Sequence, residues 1–174
     1  MAYDSAADRV ILFGGDNHAP DSLGDTWVYD FNNNTWYNMT PTVTVIDGPM
    51  PSGGIYAHSM VYDEANDLTV LFGGYADPGA ASTFRINWTY VYYYDNNTWV
   101  NRTPSMTVIG GNLIPRSSPS MVYDSNAECA VMFGGRRSGT QDDILNETWL
   151  YKASDNTWYY VNYRTSNDDI LWGR

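Results

Sequence analysis

The sequence predicts an all-β protein of three similar units, each a four-stranded antiparallel sheet, with the sheets stacked face to face. Three observations carry this. The first is a repeated word: Ile11-Leu12-Phe13-Gly14-Gly15, Val70-Leu71-Phe72-Gly73-Gly74 and Val131-Met132-Phe133-Gly134-Gly135 recur at intervals of about sixty residues. The second is the company each copy keeps. Met1-Ala2-Tyr3-Asp4, Met60-Val61-Tyr62-Asp63 and Met121-Val122-Tyr123-Asp124 come before; Trp27-Val28-Tyr29, Tyr90-Val91-Tyr92 and Trp149-Leu150-Tyr151 come after. Asn34-Thr35-Trp36, Asn97-Thr98-Trp99 and Asn156-Thr157-Trp158 close each unit. The third is that no window carries the apolar period of an amphipathic helix.

The middle unit is complete and serves as the template. Residues 57–63 form a short apolar stretch ending in Tyr62-Asp63, and Glu64-Ala65-Asn66-Asp67 is turn chemistry. Leu68 to Phe72 is apolar at consecutive positions, the pattern of a strand covered on both faces. Gly73-Gly74 ends it where positive φ or close backbone approach is needed. The β-branched and aromatic run 89–94 is a third strand, and Asp95-Asn96-Asn97 turns the chain into a fourth at Thr98-Trp99-Val100. A single such sheet leaves two apolar faces bare, so neighbouring sheets must stack.

Composition narrows the function classes. With 43% hydrophobic and 16% aromatic residues in 174, the chain builds a real core. A net charge of −11 excludes nucleic acid, since the one basic doublet is Arg136-Arg137. No apolar run reaches bilayer-spanning length, and no signal-peptide pattern stands at the first residues. Cys129 has no second cysteine to pair with and is neutral on compartment.

A double glycine after an apolar strand, with Tyr-Asp and Trp at these offsets in three units, resembles the kelch repeat of β-propellers, as in the central domain of galactose oxidase. The resemblance covers nearly the whole chain. It implies three four-stranded blades, at about 1–40, 57–102 and 117–161, with a lead-in at 162–174. It further implies that Gly14, Gly15, Gly73, Gly74, Gly134 and Gly135 sit where blades crowd, and that Trp36, Trp99 and Trp158 pack between sheets. Two departures stand out: Tyr90 replaces the tryptophan found at Trp27 and Trp149, and the unit is longer than the roughly 50 residues usual for kelch.

The surplus length falls on one side. Connections between the second and third strands (16–25, 75–88, 136–147) and from one unit to the next (41–56, 104–119) are long, whereas the other turns are short. In an up-and-down blade the long ones emerge on one face. Loops on a rigid scaffold carry binding residues, so the candidates are His18, Tyr56, Tyr75, Arg85, Arg116, Arg136 and Arg137. His58, at a position that often carries histidine in kelch repeats, is assigned to packing.

No catalytic residues are expected. With two histidines, and with Cys129 reading as a small buried hydrophobe, the copper site of galactose oxidase has no ligands to draw on. Asp16-Asn17 with Asp21 and Asp25 lacks the spacing of a calcium loop. No cofactor or metal is therefore assigned. Of the Asn-x-Thr sequons, Asn33 and Asn96 fall in turns that want asparagine, and Asn87 adds a further one. Asn38, Asn101 and Asn146 are the candidate glycosylation sites and point outside the cell or to its surface.

Propellers use about four to eight blades, so three require completion. Met1 aligns with Met60 and Met121, and Trp172-Gly173-Arg174 resembles Ile114-Pro115-Arg116, so the chain spans close to three whole repeats. It is either part of a longer propeller or one half of a six-bladed ring made with a second copy; the second is the expectation. The expected function is a non-catalytic interaction module whose loop-rich face meets a protein or a glycan. The alternatives are a sugar-active epimerase or hydrolase with arginines and acids around the central channel, and a structural domain of a surface protein.

Overall fold

The computed structural model describes residues 1–17, 23–50, 53–77, 83–137 and 143–161. The first unit is β1 (Ala2–Asp4), β2 (Arg9–Gly15), β3 (Leu23–Asp30) and β4 (Thr35–Asn38), antiparallel in that order. A 3-10 turn at Thr40–Thr42 leads to β5 (Thr44–Ile46) and β6 (Ile55–Tyr56). The second unit holds β7 (Ser59–Asp63), β8 (Leu68–Phe72), β9 (Tyr75–Ala76), β10 (Phe84–Arg85), β11 (Thr89–Tyr93) and β12 (Thr98–Asn101). After the turn Thr103–Ser105 and β13 (Thr107–Ile109) comes the third unit: β14 (Ser120–Asp124), β15 (Cys129–Phe133), β16 (Thr148–Lys152) and β17 (Thr157–Val161).

The four antiparallel strands of each unit lie where the sequence puts them. Val70 of β8 faces Val61 of β7 on one side and Val91 of β11 on the other. All five residues of β8 are buried, as a strand covered on both faces requires. The turns rest on residues in left-handed backbone, with φ between 50° and 55° at Asp8, Asp67 and Glu128 and at Asn34, Asn97 and Asn156. Asparagine and aspartate visit this region at the lowest cost after glycine.

Two expectations need correction. The second and third sheets have five strands, because β5 runs parallel along β12 and β13 runs parallel along β17. The connections between units are therefore not free loops. Each makes one turn around a proline and then lays a Thr-Val-Ile segment against the outer edge of the next sheet, where β-branched residues suit the pleat. The second correction concerns Trp36. Trp99 and Trp158 are buried between sheets, but Trp36 is exposed, because among the described residues no sheet lies against that side of the first unit.

Two cores hold the stack together. Between the first and second sheets, Ile11, Phe13 and Val28 meet Leu71, Tyr90, Tyr92 and Trp99. Between the second and third, Val70, Phe72 and Val91 meet Met132, Trp149, Tyr151 and Trp158. The indole N–H of Trp99 crosses the first joint to Thr26 Oγ1 at 2.9 Å, and that of Trp158 crosses the second to Thr89 Oγ1 at 3.0 Å. Each buried donor is thereby paired, which a dry joint requires.

The double glycine works at the rim of these joints. Gly73 (φ 69°) and Gly74 (φ 97°) adopt backbone that side chains resist, and a Cβ on them would stand 2.7 Å from Arg116 O and 2.5 Å from Tyr56 O. Gly74 N–H donates to Arg116 O at 2.8 Å. The backbone that follows β8 thus touches the connections on either side of it.

Candidate functional site

Those connections build a small sheet of their own. β6, β9 and β10 pair in the order β10-β9-β6, so that Tyr56, Tyr75 and Arg85 stand opposite one another on three adjacent strands. Cross-strand neighbours of this kind meet side chain to side chain. The rings of Tyr56 and Tyr75 stack with centroids 4.9 Å apart and planes 12° from parallel. The guanidinium carbon of Arg85 lies 4.5 Å from the centroid of the Tyr75 ring, within cation–π range.

Arg85 is held a second time. Its Nε donates to Ser117 Oγ at 3.1 Å, and Ser117 is buried. Ser117 in turn exchanges backbone hydrogen bonds with Arg136, at 3.0 and 2.8 Å. The side chain of Arg136 is exposed, so an ordered row runs from Tyr56 through Tyr75, Arg85 and Ser117 to Arg136. Among the described residues no carboxylate pairs with Arg85 or Arg136, in a chain where twenty acids face nine bases. Arg137 is different: its Nη2 pairs with Asp143 at 2.7 Å on the surface.

The comparisons with known proteins bear on the scaffold. Residues 1–169 match the family model of the KLHDC2/KLHL20/DRC7 Kelch-repeats domain. The chain belongs to the kelch-repeat family. Kelch-repeat domains generally mediate protein–protein interaction. The kelch chain is also similar to multiple epidermal growth factor-like domains protein 8 of Mus musculus, 28% identical over an alignment of 136 residues that covers 75% of this chain and 4% of that protein. It thus spans a small part of the length of that relative.

The remaining candidates of this kelch unit separate by burial. Arg116 is fully buried, donating to Gly134 O at 3.1 Å and Ile114 O at 3.3 Å and pairing with Glu147 at 2.7 Å. Desolvation lowers its pKa, against the pull of Glu147. Its guanidinium is a strut between the connection and the third blade, with its donors spent on the protein, which is a structural role rather than the surface one expected. Glu147 also accepts the indole N–H of Trp149 at 3.0 Å, and Asp25 does the same for Trp27 in the first blade. His18 lies outside the described residues, as do the lead-in 162–174 and Asp21 of the acidic loop.

His58 sets its ring edge-on to Phe13 at 5.9 Å, and burial pushes its pKa down to about 4. That fits the packing role. Cys129 is buried, and burial raises its thiol pKa, so it is an inert core residue. The groove along strands β1, β7 and β14, about 480 Å³, is lined among the described residues by tyrosines, methionines and valines such as Tyr3, Met60, Val61, Val122 and Tyr123, by serines and one acid, Glu64, and by no arginine. Among the described residues no three His, Cys, Asp or Glu side chains gather to hold a metal. No helix there is long and apolar enough to cross a membrane.

The sequence candidates missed one part of the row. Ser117 stands in a polar stretch, and only its burial beneath Arg85 gives it a role. Phe84, the neighbour of Arg85 on β10, is exposed and edge-on to Trp88 at 5.9 Å, on the face of the strand opposite to Arg85.

Proposed function

We propose that this kelch unit is a protein-binding module whose loop-rich face grips a carboxylate-bearing segment of its partner. One observation supports the reading above others: Arg85 is orientated by Tyr75 and Ser117 and, among the described residues, carries no carboxylate of its own. A guanidinium fixed in this way loses little conformational entropy on binding and offers its two outer nitrogens to a carboxylate as a fork. Arg136 adds a second positive charge along the row, and Tyr56 supplies apolar contact beside it. Selection from a displayed peptide library tests the reading. Enrichment of acidic segments that lose binding on Arg85→Gln is the expected result; enrichment without acidic residues contradicts it. A glycan array run in parallel addresses the sugar ligand, and retention of a neutral glycan with no peptide enriched would replace the protein reading.

The face is presented, on this proposal, by a closed ring of six blades in which a second copy covers the two bare end sheets. Light scattering on the full chain tests it, with twice the 19.6 kDa of one chain expected.

The proposed location is outside the cell or at its surface. Asn38 and Asn146 are exposed. The side-chain oxygens of Asn38 and Asn101 each accept the N–H two residues on, from Thr40 and Thr103, at 3.0 Å, which leaves the amide nitrogen to carry a glycan. Secretion from eukaryotic cells should give a protein whose mass falls on glycosidase treatment; an unchanged mass refutes this location.

A further inference from the structure

The two joints between blades are made alike. Trp99 donates to Thr26 Oγ1 at 2.9 Å and sets its ring 5.0 Å from that of Phe13. Trp158 donates to Thr89 Oγ1 at 3.0 Å and lies 4.6 Å from Phe72. Within its own blade each tryptophan also leans on a tyrosine, Tyr92 or Tyr151, at 4.9 Å. Trp36 keeps the tyrosine contact, with Tyr29 at 5.0 Å, and has neither of the others.

The missing partners are present at the opposite end of the chain. Phe133 occupies in β15 the place of Phe13 and Phe72, and Thr148 opens β16 as Thr89 opens β11. Among the described residues no tryptophan reaches them. Trp36 is 45% exposed where Trp99 is 1% and Trp158 0%; Phe133 is 55% exposed where Phe13 is 3% and Phe72 0%. Beside Trp36 a groove of about 550 Å³, lined by Leu12, Gly14, Leu23, Asp25 and Trp27, lies open. Among the described residues, one end sheet therefore carries an unused indole donor, and the other an unused hydroxyl acceptor and ring.

We infer that Trp36 of one copy inserts between Phe133 and Thr148 of a second copy, repeating the joint found twice within the chain. This rests on the six-bladed reading and names the contact that makes it. The occupant is a second copy because the chain itself supplies both halves of the joint, continuous with the interfaces already built. Two such joints related by a twofold axis leave no end sheet bare. Buried tryptophans of this kind dominate association energies.

The test compares the full chain with Trp36→Ala and Phe133→Asp. Both residues are exposed in a single copy, so circular dichroism should be unchanged. Trp36→Ala should raise the dissociation constant of the pair by about thirtyfold for each joint lost. A mixture of the two variants keeps one intact joint and should contain a pair that neither variant forms alone. If the unaltered chain stays at 19.6 kDa, the ring reading and this inference both fall. If it pairs and Trp36→Ala dissociates no more readily, or if the mixture shows no pair, the ring reading stands and this joint is wrong.

Discussion

The guanidinium of Arg85 lies 4.5 Å from the centre of the Tyr75 ring, and the neighbouring strand on the far side of Tyr75 stacks Tyr56 against it. A cation on an aromatic face is worth about 1 kcal/mol when partly exposed, enough to bias one rotamer of a flexible side chain. The long connections of this kelch unit are thereby turned from solvated loops into an ordered row with a charged end.

The hydroxyl of Thr26 should matter more than its size suggests. It is the acceptor for the buried Trp99 indole, and Thr26→Val keeps the shape while leaving that N–H unpaired. The expected loss is about 1–3 kcal/mol in urea denaturation, the usual cost of an unsatisfied buried donor. A change within a few tenths would mean that the joint holds by packing alone.

Glu147 should be harder to lose than Arg116. Glu147→Ala strands a fully buried guanidinium, at a cost of about 3 kcal/mol or more, whereas Arg116→Met removes the charge together with its need for a partner. Melting temperatures of the two variants check the order, and the reverse order would show that the pair is not what holds the connection to the third blade.

Acid should weaken the fold before the carboxylates titrate. Burial lowers the His58 pKa from 6.5 to about 4, so the neutral form is favoured in the folded state. The resulting stability is whole above pH 6.5 and is lost as the pH falls towards 4, on the order of 1–2 kcal/mol by pH 5. Urea midpoints at pH 7 and pH 5 should differ for the native chain, and the difference should shrink in His58→Phe.

The strands were legible because their chemistry is local and is written three times. Consecutive apolar residues at 68–72 imply a strand covered on both faces, Asn-Thr-Trp implies a turn into a strand, and the kelch resemblance implies a tryptophan packed between sheets, as Trp99 and Trp158 are. β5 and β13 were not legible, since three residues of Thr-Val-Ile in a polar stretch give no period. Their partner strands also lie fifty residues later along the chain, a pairing that only the assembled stack supplies. Arg116 read as a surface arginine because its carboxylate is 31 residues away and nothing nearby announces burial. Tyr56, Tyr75 and Arg85 were each visible as loop residues; that they form one row depends on the register of three two-residue strands.

The central claim is that Arg85 is the anchor of a binding face. The most direct measurement is calorimetric titration of an acidic peptide selected on this chain against the chain itself, Arg85→Gln and Tyr75→Leu, at two salt concentrations. Arg85→Gln should weaken binding at least tenfold, as expected for a charge-assisted pair, and remove most of its salt dependence. Tyr75→Leu should weaken it severalfold by freeing the guanidinium. Equal affinity of Arg85→Gln and the native chain at low salt would contradict the account.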